Sequence, residues 1–288
     1  MSSPAVSAST VPAPTVPHDE EVPTIQFTNV KELIRAVRRV SADFAVVQNV
    51  PPTEFENISL LERRPFRVRR YLVGTGVLFI AIPTRLHEVL HSGIYHIYLD
   101  QLGPRRKFIW NSIGATTYRE RGHPGGDGGE GDSTGGPNPE RRPGGTWPTL
   151  VVEAGVSEPL SELHQDMRWW FSVSNHQVKI VILAKFNYSR QQIIIERWEE
   201  EPRARPGATM TRLAAAFPSV ALLQPVLRQS IIITKNEEVD PVSYNVVRGA
   251  LIIPFRLLFL REPGPGEGDF IIDIPDLQYY AGEVWEYA

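Results

Sequence analysis

The stretch Trp147–Phe171, WPTLVVEAGVSEPLSELHQDMRWWF, decides how the chain folds. Pro148 and Thr149 lead into the apolar run Leu150-Val151-Val152, which ends on Glu153, Ala154 and Gly155. β-branched residues between a proline and a glycine predict a short buried strand. Ser157 or Glu158 is expected to open a helix, with Pro159 in its first turn. Leu160, Leu163, Met167 and Phe171 then fall on one helical stripe, with Trp170 beside it. A buried strand that ends on an acid next to a helix start is a place where α/β proteins put chemistry. The rest of the chain is therefore read for what can stand beside Glu153.

Working outward, Asn29–Ser41 carries the apolar spacing of a short helix, and Ala42–Val50 that of a strand. The runs Phe66–Val73 and Val77–Ile82, joined across Gly74-Thr75-Gly76, read as a β-hairpin. Thr84 can cap the helix that follows, Arg85–Leu102, whose stripe is Leu86, Val89, Leu90, Ile94, Ile97 and Tyr98. Lys107–Arg119 reads as a strand. Glu120–Thr146 is so rich in glycine and proline that a long loop is expected. Beyond the quoted stretch, Val178–Phe186 and Gln191–Trp198 form a second hairpin. Shorter strand signals follow at Gln229–Lys235, Leu251–Ile253 and Phe270–Ile274, with a last helix at Asp276–Tyr287 capped by Asp276. This order predicts a mixed α/β (α+β) architecture with helices covering one mixed sheet. Residues 1–25 are expected to be a disordered tail and residues 26–288 a single domain, with a glycine-rich loop at 120–146 and a strand-and-helix extension at 208–288.

Composition narrows the function classes. With no cysteine among 288 residues, disulfides, thiolate metal sites and a cysteine nucleophile are excluded. A formal net charge of −3 leaves any polyanion site to a local patch. The start of the chain has no signal-peptide pattern and no run is apolar and long enough to cross a membrane, so an intracellular protein, cytoplasmic or nuclear, is expected. There is no G-x-S-x-G elbow and no phosphate-binding P-loop motif. His87-Glu88-Val89-Leu90-His91 satisfies H-E-x-x-H, which in zinc hydrolases places two imidazoles on one helix face; a helix with surface histidines satisfies it equally. Asp127, Glu130 and Asp132 lie in the glycine-rich loop, which is long enough to return Asp132 to Glu153. Two converging carboxylates suit a hard cation, Mg²⁺ or Mn²⁺, and solvated acidic loops are the other reading.

The run Gly131-Asp132-Ser133, a proline-rich spacer, and then Trp147–Glu158 resembles the PD-(D/E)XK restriction-endonuclease-like superfamily, from about Phe66 to Trp198. The resemblance implies a core of a helix, three strands, a helix and a strand around a mixed sheet. It also implies a metal-dependent nuclease that hydrolyses phosphodiester bonds of nucleic acid. Asp132 and Glu153 would be the catalytic metal ligands for Mg²⁺ or Mn²⁺, and Glu88 a further ligand from the helix before the motif. Two positions depart from the pattern. Gly131 stands where the motif has proline, and Gly155 where it has lysine; Asp166 occupies the place from which some relatives supply a displaced lysine, leaving Lys179 and Lys185 on the next strand as substitutes. The missing lysine supports the alternative of a catalytically degenerate fold that binds nucleic acid or protein. Arg67 and Arg69, alternating with Phe66 and Val68, are the candidates for phosphate contacts, with Arg105-Arg106-Lys107 as a second basic cluster.

Overall fold

The computed structural model describes residues 22–114, 116–120, 125–141, 146–203, 223–239 and 241–288. Its elements run β1 (Thr24–Gln26), α1 (Val30–Val37), β2 (Phe44–Gln48), α2 (Pro52–Ser59), β3 (Arg67–Leu72), β4 (Val77–Ala81), α3 (Arg85–Gln101), α4 (Arg106–Ile109), β5 (Trp110–Ile113) and β6 (Tyr118–Arg119). Then follow β7 (Gly128–Gly129), β8 (Ser133–Pro137), β9 (Leu150–Gly155), α5 (Leu160–Val173), β10 (Ile180–Asn187), β11 (Gln192–Pro202), β12 (Leu223–Asn236), β13 (Ser243–Val247), β14 (Leu251–Ile253), α6 (Phe255–Phe259), β15 (Phe270–Ile272) and α7 (Ile274–Trp285).

The mixed α+β architecture is as expected, but the strands divide between two main sheets rather than one. The first has the order β1-β2-β4-β3-β7-β6, the second β13-β12-β11-β10-β9-β8-β5, and β14 pairs with β15 separately. With α4, β6 and β7 set aside, α3, β5, β8, β9, α5 and β10 follow as a helix, three strands, a helix and a strand. β8 is antiparallel to β5 and β9, and β9 is parallel to β10, which sets Glu153 opposite Leu183. The α5 crossover between β9 and β10 makes that parallel pair possible.

Side-chain alternation along β9 assigns its two faces. Leu150, Val152 and Ala154 enter the core under α3 and α7, whereas Val151 lies in the core under α5. Glu153 shares the Val151 face, so the acid points at α5. Trp147 stacks on Tyr118, Trp170 meets it edge-on, and Trp147, Trp169 and Trp170 pack edge-on against one another, walling off that side. On the other side, Tyr280 of α7 donates its hydroxyl to Leu90 O at 2.8 Å. Gly93 leaves room for the Tyr280 ring, 2.8 Å from where a Cβ would stand. The third core joins α1 and α2 to the first sheet through Leu33, Val37, Phe55, Ile58 and Val68.

Several expectations change. The segment 120–146 is not all loop: β7 and β8 lie within it and every residue of β8 is buried. The composition misleads because its glycines serve close packing rather than flexibility. A Cβ on Gly135 would stand 2.8 Å from Asn111 O and collide with the Tyr95 hydroxyl and the Trp110 ring nitrogen. Tyr95 in turn donates to Thr134 O at 2.9 Å and accepts from Trp110 Nε1 at 3.0 Å. Lys107–Arg119 begins as the helical turn α4 before β5 and β6. Pro159 is the N-cap of α5 rather than a first-turn residue, and Asp273, not Asp276, caps α7. Thr24 and Ile25, expected in the tail, pair with Val46 and Val47. Residues 1–21 of that tail and 208–222 of the extension lie outside the described residues.

If β8 is a packed strand, Gly135→Ala overpacks it and lowers unfolding stability by about 1–3 kcal/mol. A urea denaturation midpoint indistinguishable from that of the native chain would contradict this placement.

Candidate functional site

The strand β3 carries three basic residues into the junction of the two sheets. Arg67 pairs with Ala81 and Val68 with Ile80, but the next register partner, Phe79, faces Arg70. Arg69 is the extra residue of a β-bulge, which bends the strand. Its guanidinium is buried, 1% exposed, and directed at the end of β9. Arg67 and Arg69 both reach Asp132, so they share one face as alternation predicts, but that face is turned toward the second sheet, and the buried Arg69 offers no charge to an external phosphate.

What Arg69 meets is a ring of acids. Its Nη1 donates to Asp132 Oδ2 at 2.7 Å and also to Glu153 Oε2. Its Nη2 donates to Ala154 O at 2.7 Å and stands 3.1 Å from Glu158 Oε2, and its Nε lies 3.5 Å from Asp166 Oδ2. Asp132 and Glu153, the pair expected to converge, are thus brought together, and the cation between them is the chain's own guanidinium. Other donors take up Asp132 Oδ2 and both Glu153 oxygens, whereas Asp132 Oδ1, Asp166 Oδ2 and both Glu158 oxygens have no hydrogen-bond partner among the described residues. Asp132 Oδ2 accepts from Ala154 N at 2.9 Å, and Glu153 Oε2 from Asp132 N at 3.3 Å. Glu153 Oε1 accepts from Trp170 Nε1 at 2.6 Å, and Asp166 Oδ1 from Arg70 Nη1 at 2.7 Å.

The protonation states follow from charge counting. Four buried carboxylates face Arg69, with Arg70 at Asp166 and His87 at Asp132 as the further cations, so they exceed the positive charge beside them, and a buried uncompensated anion takes up a proton. Burial pushes the Glu153 carboxyl well above the usual range; Arg69 opposes this, while Asp132 and Asp166 add to it. Burial likewise raises Glu158 and Asp166. Asp132 goes the other way: burial works to raise it, but Arg69 and His87 outweigh that and hold it well below the carboxylate range. Burial also works against the Arg69 charge, and the surrounding acids more than offset it.

Beside this ring lies a second group, which the sequence singled out only as H-E-x-x-H. His87 and His91, one helical turn apart on α3, are both buried, and their rings are 5.6 Å apart. His87 Nδ1 contacts Asp43 Oδ2 at 3.0 Å, and His91 Nδ1 contacts Ser133 Oγ at 2.8 Å. Burial works against a charge on His87, but Asp132 and Asp43 overcome it and push the imidazole up to about 9. Burial moves His91 down. Glu88, whose side chain is 39% exposed, takes Arg67 Nη2 at 2.9 Å. Arg67 is 22% exposed and its Nη1 also donates to Asp132 O at 3.3 Å, so it stands at the mouth.

Of the other sequence candidates, Glu130 and Asp127 hold the fold: Glu130 Oε2 accepts from Val68 N at 3.1 Å and Asp127 Oδ1 from Val73 N at 2.9 Å. Lys179 Nζ donates to His176 O at 2.6 Å, and Lys185 Nζ to Val156 O. The residues that sequence reasoning missed are Arg69 in its inward role, Asp43, Glu158 and Asp166. Asp43 accepts from Val156 N at 2.9 Å and Ser157 N at 2.6 Å, tying the end of β9 to the first sheet. A buried acid cluster without a lysine demands another cation, and that was the signal available for Arg69.

Arg69→Met keeps much of the side-chain volume but leaves the acids unpaired, and removing one partner of a buried ionic group costs about 3–5 kcal/mol. Chemical denaturation at neutral pH should register that loss, with Arg69→Lys losing less. Equal stability of native and Arg69→Met chains would show that the guanidinium does not hold the cluster together.

No family model matches the chain, and no curated protein matches it. A solved structure described as "a putative nuclease belonging to DUF820 from Anabaena variabilis ATCC 29413" is 11% identical, with a TM-score of 0.42. The alignment covers 81% of this chain and 99% of that one.

Proposed function

We propose that the chain is a catalytically degenerate nuclease-type fold that binds nucleic acid without cleaving it. The observation that carries this reading is the guanidinium of Arg69 between Asp132 and Glu153. A divalent cation of the expected kind, Mg²⁺ or Mn²⁺, needs several free carboxylate or water oxygens around it. Here Asp132 Oδ2 and both Glu153 oxygens are committed to Arg69, Ala154, Asp132 N and Trp170. Glu153 is also pushed toward its neutral, poorly ligating form. The pair as folded does not fit that cation, and no lysine joins it among the contacts described above. Glu88 faces Arg67 rather than Glu153.

The nucleic-acid half of the reading rests on a surface at the end of α3. Arg105, Arg106 and Lys107 are all exposed, and Phe108 beside them is 67% exposed, with Lys107 Nζ 4.9 Å from its ring centroid. Adjacent cations and an open aromatic face suit phosphates and a stacked base.

Fluorescence anisotropy with single- and double-stranded oligonucleotides tests both halves. Binding should weaken steeply with salt, and the combined Arg105→Ala, Arg106→Ala, Lys107→Ala variant should flatten the salt dependence by about 0.9 per lost phosphate contact on duplex DNA. The labelled strands should remain intact in Mg²⁺ or Mn²⁺. Metal-dependent cleavage that disappears in Glu153→Ala would overturn the reading in favour of an active nuclease.

A further inference from the structure

The H-E-x-x-H helix is left unused by the reading above, and its surroundings differ chemically from the Arg69 ring. One donor atom each from His87, Glu88 and His91 lies within 4.8 Å of the others. Asp132 Oδ1, the oxygen that Arg69 does not take, stands 3.2 Å from His87 Nε2. The two atoms form an ion pair at that distance, yet neither has a hydrogen-bond partner among the described residues. Buried polar atoms left unpaired are costly, and a pair aimed at one spot points to a ligand there.

The distances fit a particular class of ligand. A tetrahedral cation bound at about 2.0–2.1 Å sets its donor atoms about 3.3 Å apart. The His87–Asp132 separation of 3.2 Å and the His91 Nε2–Glu88 Oε2 separation of 3.4 Å are edges of that size. The far ring nitrogens are already oriented, His87 Nδ1 by the Asp43 carboxylate and His91 Nδ1 by the Ser133 hydroxyl. Metal-binding histidines are held in this way, with the second nitrogen fixed by a carboxylate or hydroxyl. Arg67 now covers the opening, 3.5 Å from His91 Nε2 and 3.6 Å from Asp132 Oδ1. It is partly exposed and can turn to solvent when a cation enters.

We propose that His87, Glu88 and His91 form a site for a late first-row divalent ion such as Zn²⁺ or Co²⁺, with Asp132 Oδ1 beside His87 at its inner edge. Two imidazoles select such ions over Mg²⁺, which takes oxygen ligands. The site adjoins Asp132 at the oxygen that Arg69 does not take, so it is independent of whether the fold binds nucleic acid.

The test uses the full chain, stripped of metal and titrated with Zn²⁺ and with Co²⁺. Elemental analysis after dialysis should give one zinc per chain, and cobalt should show the intense visible absorption of a tetrahedral site. An excess of Mg²⁺ should not displace either ion. Glu88→Gln, at a partly exposed position, should weaken zinc binding by about tenfold or more while the circular dichroism spectrum is retained. His91→Gln should abolish the cobalt absorption. Absence of bound zinc in the folded native chain overturns the proposal, as does affinity unchanged in Glu88→Gln; the second outcome would place the metal elsewhere. Because Glu88→Gln is judged on a folded protein, failure of His91→Gln to fold leaves the test decisive.

Discussion

One buried guanidinium organises the centre of this molecule. Arg69 reaches from the first sheet into the second and meets Asp132, Glu153, Glu158 and Asp166, all of them buried. Removing charges from water costs several kcal/mol per ion, and only close, well-bonded partners repay it. The two-sheet arrangement provides those partners. The bulge in β3 supplies the arginine, the return of β8 supplies Asp132, the end of β9 supplies Glu153, and the entry and middle of α5 supply Glu158 and Asp166. Asp43 makes a parallel link, from the first sheet to the backbone of Val156 and Ser157. The sheets are thus joined through polar groups as well as through apolar packing.

The same arrangement separates two chemistries that lie side by side. On the α5 side, Trp170 and the aromatic wall enclose Glu153, and the acids are pressed toward neutrality around a fixed cation. On the α3 side, imidazoles and the Asp132 oxygen that Arg69 does not take face an opening guarded by Arg67. Asp132 belongs to both and gives one oxygen to each. A site that carries its own cation in this way is preorganised, and under the proposed reading it is a poor place to assemble a hydrolytic metal centre.

Much of this was legible in the residues. The apolar run Leu150–Val152, the stripe on α5, the Thr84-capped helix α3 and both hairpins follow from periodicity and turn chemistry, because those signals are local. The convergence of Asp132 with Glu153 also followed, from the motif spacing. Three features did not. The burial of β8 was hidden because its glycines look like loop; what fixes them is the approach of Tyr95 and Trp110, both distant in sequence. The burial of Arg69 was hidden because alternation tells which strand residues share a face but not what covers that face. The short helix α2 was missed because its buried residues, Phe55 and Ile58, are too few to make a periodic signal. In each case tertiary contact, not local sequence, sets the outcome.

The central claim is that a guanidinium holds the place between Asp132 and Glu153 that a divalent cation would otherwise take. A crystal grown or soaked in Mn²⁺, with anomalous scattering recorded, tests it most directly. The account predicts side-chain density for Arg69 bridging the two carboxylates and no anomalous peak between them. An anomalous peak coordinated by both Asp132 and Glu153, with the Arg69 side chain turned away, would contradict it.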